Sequence, residues 1–502
     1  MSIKSIAARI FAAAVHKKTQ RWSSNPVQSQ EKVFQHLLQF AGNTAFAKAH
    51  SFSSIKTHQD FVSQVPIRDY EELKPFVDRV VAGESDILWP GKPLYFAKTS
   101  GTTSGAKYIP LTKESMPEHI KAARNAILSY IHETGKSKFV DGKMIFLQGS
   151  PVLEEKNGVQ LGRLSGIVAH YVPEYLQRNR MPSWETNSIE DWETKVEAVI
   201  DETLPEKMSV ISGIPSWLQM YFERIVARTG KKVGEVFPDL DLLIYGGVNF
   251  EPYKSKFHAL IGRKVDSIEL FPASEGFFAY QDKQSEKGML LLLDAGIFYE
   301  FVPAAMFHDE NPPRLTIGDV EIGVNYVMII STTAGLWAYN IGDTIAFTSI
   351  KPYRVIVTGR IKHYISASGE HVIGKEVEEA MKATIEKHDF VINEFTVAPQ
   401  LDPPAGELPY HEWFVEMDEP LSSDDLKKFA TTLDLEMRQQ NSYYDDLIKG
   451  KVLQPLQIQI LKTGAFQKYM KSVGKLGGQN KLPRLSNDRK IARELEKTAS
   501  HN

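Results

Sequence analysis

Between residues 207 and 276 the chain repeats one pattern three times: a short aliphatic run that ends in glycine or serine. Met208–Ile211 runs into Ser212-Gly213, Leu242–Tyr245 into Gly246-Gly247, and Val265–Leu270 into Phe271-Pro272-Ala273-Ser274-Glu275-Gly276. Helical patterning fills the gaps, over Pro215–Arg228 up to Gly230 and over Pro252–Ile261 up to Gly262. Strands alternating with helices of that length predict βαβ units on a parallel sheet. Ligands bind such sheets beyond the carboxyl ends of the strands. The three Gly/Ser-rich loops are therefore predicted to gather at one crevice.

The rest of the chain is read around this centre. Upstream, helical patterns cover about Gln28–His50, Asp69–Val80 and Lys113–Thr134, and Met144–Leu147 is predicted as a strand. A strand at Pro93–Phe96 leads into the small-residue loop Thr99–Gly105, so strand, loop and helix are expected in that order. Downstream, Leu290–Leu293, Phe298–Val302, Tyr326–Ile330 and Leu336–Tyr339 suggest antiparallel strands. After Tyr353–Val357 an α+β set follows: helices Lys375–Lys387 and Asp424–Gln439, with strands Phe395–Ala398, Trp413–Met417 and Leu456–Ile460. The expected fold class is α/β, with a large N-terminal domain (1–358: parallel sheet plus a β portion) and a smaller, mobile C-terminal α+β domain (359–502).

Composition removes several classes of chemistry. The 502 residues include no Cys, which excludes disulfides, thiolate metal sites and a thiol nucleophile. With 59 Lys+Arg against 62 Asp+Glu the net charge is −3, and no basic stripe points to nucleic acid. The apolar stretch Ile6–Val15 is too short to span a bilayer and is interrupted by Arg9. It reads as a helix docking on the body, so no membrane partner is expected and the cytoplasm is the expected compartment. Nothing in the sequence indicates an oligomeric state.

Five motifs carry chemistry. The first is Lys98-Thr99-Ser100-Gly101-Thr102-Thr103-Ser104-Gly105-Ala106-Lys107. Its hydroxyls, exposed N–H groups and terminal cation suit a polyphosphate, although a flexible surface loop would have similar composition. It is not a Walker A loop, because three residues separate its glycines and Lys107 stands one place too far on. The second is Glu275 at a predicted strand end, a position that suits Mg²⁺ beside a triphosphate or a plain loop carboxylate. The third is Tyr339-Asn340-Ile341-Gly342-Asp343, where Asp343 could grip ribose hydroxyls or make an Asx turn. The fourth joins Gly359-Arg360 to Ser366–Val372. The fifth, Gly477-Gly478-Gln479-Asn480-Lys481-Leu482-Pro483-Arg484, is either a solvated tail or a loop delivering Lys481 to a leaving pyrophosphate.

In this order the motifs resemble those of the adenylate-forming superfamily of acyl ligases. Gly42-Asn43-Thr44-Ala45-Phe46, Val65-Pro66-Ile67-Arg68-Asp69-Tyr70-Glu71-Glu72-Leu73, Ser100–Lys107 and Lys107-Tyr108-Ile109-Pro110 look closer still to one branch. That branch is the auxin-responsive Gretchen Hagen family of acyl acid–amido synthetases. The resemblance covers essentially the whole chain. It implies a ligase that uses ATP and Mg²⁺ to adenylate a small carboxylic acid. The acyl group then passes to an amino acid or another amine.

By position, Thr99, Ser100, Gly101, Thr102, Thr103, Ser104, Gly105 and Lys107 would hold the ATP phosphates. Gly247, Val248, Phe271 and Ala273 would line the adenine slot, with Ser274 beside them. Glu275 would serve Mg²⁺ and the adenylate, Asp343 the ribose, and Arg360 the hinge and a nucleotide contact. Lys481, Glu275 and Lys107 would be the catalytic set. An acyl pocket is expected over about Leu161–Val172 and Ile214–Met220, with His170 in it. The chain departs from the family pattern at Phe271, Ala273 and Asn340, where the family carries Tyr, Ser and Arg, and His371 stands near a usual Lys position. Two alternatives share these residues: an acyl-CoA ligase, and a nucleotide-binding protein without catalysis.

Overall fold

The structure, a computed structural model, describes residues 2–499 apart from 100–106, 172–178, 190, 248–249, 251–252, 308, 362–363, 366–371, 389, 402, 405–406, 420, 450–451, 477–481 and 487. It divides into two compact units: Met1–Gly247 with Ile261–Ile356, and Val248–Leu260 with Val357–Asn502. The crossover segment between two strands of the first unit is thus counted with the second. Side chains explain this: the Tyr253 hydroxyl donates to Glu394 Oε2 (2.9 Å), and Lys256 Nζ to Asp418 Oδ2 (2.5 Å).

Among the described residues, the first unit is built on an eleven-stranded sheet. Its parallel half runs Arg180–Met181, Lys143–Phe146, Met208–Gly213, Leu242–Gly246 and Asp266–Ala273 in spatial order. The aliphatic residues of the two central strands are buried, as a sheet covered on both faces requires. A two-residue turn at Ser274-Glu275 then reverses the chain into Gly276–Tyr280. From there the sheet continues through Met289–Leu291, Tyr353–Arg360, Tyr339–Ile350, Asn325–Thr332 and Ile297–Pro303. The β portion expected as an addition is therefore the other half of the same sheet.

A second sheet of four short strands carries Tyr95–Thr99 and Lys107–Leu111. The N-terminal helix Ile3–Ser23 packs on Met116–Thr134, burying Ala12, Val15 and Trp22. Arg9 Nε donates to Ser137 Oγ (2.9 Å). No helix among the described residues is long and apolar enough to cross a membrane.

One predicted strand is displaced. Leu336 and Trp337 precede the strand Tyr339–Ile350 instead of starting it. Gly335 and Ala338 both have positive φ (85° and 44°), and Trp337 Nε1 donates to the Leu88 carbonyl (3.0 Å). The aliphatic–aromatic run is thus a buried bend; a Cβ on Gly335 would stand 2.8 Å from Leu88 atoms.

The second unit is α+β. Ile392–Gln400 pairs antiparallel with Tyr410–Met417, which pairs parallel with Gln457–Leu461. Helices Gly374–His388 and Ser423–Gln440 bury Val377, Met381, Phe429 and Leu433 in one core with Phe395, Trp413 and Val415.

Candidate active site

The small-residue loop joins two antiparallel strands. Thr99 pairs with Lys107 and Lys98 with Tyr108, so Tyr95–Thr99 and Lys107–Leu111 form an antiparallel hairpin. This corrects the expected strand–loop–helix order, since the helix begins only at Met116. Lys107–Leu111 is an extended five-residue run able to return along Tyr95–Thr99, and the loop composition suits either connection. Ser100, Gly101, Thr102, Thr103, Ser104 and Gly105 lie outside the described residues, as do Val248, His371 and Lys481.

The foot of the hairpin rests on Tyr70. The Tyr108 N–H donates to the Tyr70 hydroxyl (2.8 Å), and Lys107 Nζ lies 5.4 Å from the centre of the Tyr70 ring. Tyr70 is buried and opens the helix Tyr70–Val81, whose N-terminus Asp69 caps by accepting from the N–H groups of Glu71 and Glu72. Two residues earlier, the Arg68 N–H donates to the Ala338 carbonyl (3.0 Å), and the Asn340 N–H to the Arg68 carbonyl (2.8 Å). Arg68–Tyr70 therefore connects the Lys107 strand to the start of Tyr339–Ile350. Sequence reasoning missed the supporting role of Arg68 and Tyr70. A Tyr directly after an N-cap Asp is the only signal, and its partner is 38 residues away.

Asp343 lies within the strand Tyr339–Ile350, not after its end. Asn340 pairs with Ile329 and Thr344 with Val327, so Ile341, Gly342 and Asp343 stand opposite one residue. Such a bulge re-aims side chains and twists the strand. Gly342 takes φ 85°, and its N–H donates to Asn340 Oδ1 (2.8 Å). The Asx turn considered for Asp343 is made by Asn340, while Asp343 itself is buried.

Gly247 and Phe271 follow on neighbouring strands, because Gly246 pairs with Leu270. A Cβ on Gly246 would come 2.5 Å from the Leu270 carbonyl oxygen, so only glycine allows this approach. Gly247 has φ 91°. Phe271 is buried edge-to-face against Phe278 (5.0 Å). Ala273 closes the hairpin against Gly276, with Ser274 buried and Glu275 half-buried in its turn. Arg360 ends the strand Tyr353–Arg360 after Gly359 (φ 151°), in the part counted with the second unit. His170 is exposed; its Nε2 donates to the Pro151 carbonyl (2.9 Å) and its ring meets Trp184 edge-on (4.9 Å).

Lys195 was not foreseen. It is buried on the helix Trp192–Thr203, and its Nζ donates to the carbonyls of Asn187 (2.5 Å) and Gln148 (3.1 Å). Burial, with a smaller push from Arg163, lowers its pKa to about 8. Gln148 follows the carboxyl end of the parallel strand Lys143–Phe146, so this ammonium stands at the end of the sheet where ligand chemistry is expected.

Comparison with known proteins fits this geometry. The GH3.15 acyl acid amido synthetase superposes with a TM-score of 0.79 at 17% identity, covering 97% of this chain and 96% of that one. A 2-hydroxyisobutyryl-CoA ligase in its postadenylation state superposes at 0.63 and 14% identity, covering 95% and 93%. The fold is that of the acyl-adenylate-forming ligases. In sequence, residues 15–196 match the GH3 family N-terminal domain, 290–360 its central domain and 375–490 its C-terminal domain. The indole-3-acetic acid-amido synthetase GH3.4 of Arabidopsis thaliana is 22% identical, over 92% of this chain and 89% of that protein. The chain belongs to the GH3 family.

Proposed function

We propose that this protein is an ATP-dependent acyl acid–amido synthetase, an amide-forming ligase that works through an acyl-adenylate. A carboxylate oxygen of the acid attacks the α-phosphorus of ATP, the α–β bridging bond breaks, and pyrophosphate leaves. An amine nitrogen, from an amino acid or a related amine, then attacks the acyl carbon. It loses a proton and expels AMP. No enzyme thiol is required, which agrees with a chain that has none.

The observation that carries this reading is the Arg68–Tyr70 connection. It ties the Lys107 end of the hairpin to the strand bearing Asp343, so one segment links the cation we assign to phosphate with the carboxylate we assign to ribose. We assign Thr99–Gly105 and Lys107 to the ATP phosphates. Gly247, Val248, Phe271, Ala273 and Ser274 form the adenine side, Asp343 binds ribose, and Arg360 contacts the nucleotide. Residues 1–358 bind ATP and acid; the mobile 359–502 brings Lys481 to the leaving pyrophosphate. His170 and Lys195 flank the acid.

Glu275 suits Mg²⁺: it is a single, half-buried carboxylate in a tight turn. No group of three or more His, Asp or Glu among the described residues could hold a metal. A cation there would complete its shell with phosphate and water, as Mg²⁺ does. When bound, it neutralises phosphate charge. The compartment we assign is the cytosol.

The test is ATP–pyrophosphate exchange over a panel of carboxylic acids, followed by addition of amino acids or coenzyme A to the acids that respond. At least one acid supports exchange and then amine-dependent AMP release. Lys107→Ala and Glu275→Ala each lower exchange by about 100-fold, or about 2.7 kcal/mol. Full exchange in both variants overturns the site assignment, and thioester in place of amide makes the protein an acyl-CoA ligase.

A further inference from the structure

Arg484 lies three residues beyond Lys481, with its guanidinium buried in the second unit. Nε donates to Glu378 Oε1 (3.1 Å), and Nη1 to Glu394 Oε1 and the Phe395 carbonyl (3.2 Å). Nη2 donates to the Tyr253 hydroxyl (3.1 Å), which itself donates to Glu394 Oε2 (2.9 Å). The guanidinium also lies over the Phe395 ring, 4.6 Å from its centre. One cation is thus met by two carboxylates, a carbonyl and a hydroxyl. A buried charge is tolerated only with such complete pairing. Lysine could not reproduce it, since an ammonium lacks the planar fork of donors.

The backbone on either side is pinned as well. Thr396 Oγ1 donates to the Pro483 carbonyl (2.7 Å), the Val397 N–H to the Arg484 carbonyl (2.9 Å), and the Ser486 N–H to the Val397 carbonyl (2.9 Å). Residues 483–486 therefore add a short parallel bridge to the strand Ile392–Gln400, with Leu485 fully buried. Three peptide units between Lys481 and Arg484 span at most about 11 Å. A charge that acts on a transition state needs a supporting shell to hold it in place. Among the described residues that follow Lys481, the Arg484 cluster is such a shell.

We propose that Arg484 is a positioning residue for the adenylation half-reaction: it fixes residues 483–486, the foot of the chain that leads back to Lys481. Tyr253 ties that foot to the crossover segment following Gly247. The inference rests on the amido synthetase reading above and on Lys481 acting during pyrophosphate departure. It separates the half-reactions, because pyrophosphate is already gone when the amine attacks. Loosening the foot slows adenylation and leaves aminolysis nearly untouched. A role in stability alone would lower both together.

The experiment compares wild type, Arg484→Lys, Tyr253→Phe and Lys481→Ala in two assays. One is ATP–pyrophosphate exchange with a responding acid; the other is aminolysis of the presynthesised acyl-adenylate. Arg484→Lys lowers exchange kcat by 10- to 100-fold with little change in the KM for ATP, while aminolysis stays within threefold. Tyr253→Phe keeps the ring and lowers exchange by three- to tenfold, and it carries the test if Arg484→Lys does not fold. Exchange and aminolysis falling in parallel, or exchange unchanged in a folded variant, overturns the proposal. Wild-type protein inactive with every acid overturns the amido synthetase reading and this inference with it. Exchange lost in Lys481→Ala but kept in both anchor variants overturns this inference alone.

Discussion

Replacing Tyr70 by Phe removes one hydroxyl and nothing else, so its effect can be worked out from the contacts at the foot of the hairpin. The hydroxyl accepts the Tyr108 N–H at 2.8 Å. Without it a partly buried backbone N–H loses its partner, at a cost of about 1–2 kcal/mol. The ring stays, and with it the Lys107 contact at 5.4 Å, which contributes about 0.5–1 kcal/mol. If the hydroxyl only stabilised the fold, the whole loss would appear in the melting temperature, as roughly 1–3 °C for a unit of this size. If it also holds Lys107 for phosphate, part of the loss appears in binding, and the KM for ATP rises by about three- to tenfold. Tyr70→Leu removes the ring as well and raises that KM by a further two- to fivefold. The assay is ATP–pyrophosphate exchange at saturating acid with ATP varied, beside thermal unfolding of each variant. A graded series of wild type, Phe and Leu is expected. Wild-type KM for ATP in both variants, whatever their melting temperatures, refutes the idea that Tyr70 positions Lys107.

Two further outcomes concern buried charge. Glu300 is fully buried and takes Arg314 in both its oxygens (2.8 and 2.7 Å), with His58 Nε2 2.7 Å from Oε1. Burial alone would raise its pKa, but Arg314 and His58 hold it below the ordinary glutamate value. Its contribution is therefore complete above about pH 4.5 and is lost as pH falls through the lower folded value. Glu300→Gln should cost about 3–5 kcal/mol near neutrality and flatten the acid limb of stability; denaturant melts from pH 6 to pH 3 with the wild-type slope would contradict this. For Lys195, burial puts the folded pKa at about 8 against 10.5 unfolded. The unfolded chain binds more protons between these values, so stability should rise with pH by about 1 kcal/mol from pH 7 to pH 9. Lys195→Met should lack this rise in paired urea melts, and an identical slope in both proteins would show that the ammonium is not desolvated.

The readable part of the molecule is the part whose cause is local. Met208–Gly213 and Leu242–Gly246 were legible because aliphatic runs, helical spacing and stopping glycines lie within a few residues of one another. Gly246 and Gly342 carry their reason in their own backbone, one through a neighbour strand at 2.5 Å and one through φ 85°. Ambiguity entered where a local pattern serves two geometries. A Ser/Gly loop before an extended run closes a hairpin as readily as it opens a helix, and Leu336-Trp337 has strand composition in a bend that Gly335 imposes. What no local pattern holds is who steadies the chemical residues. The Tyr70 hydroxyl finds its donor 38 residues on, and Tyr253 reaches partners 141 and 231 residues away. Neither tyrosine differs from its neighbours in periodicity or charge. Candidate residues for chemistry can thus be proposed from a motif, because a substrate would constrain their type and spacing. Their supports are constrained only by the folded chain, and there a reader of one sequence has nothing to count.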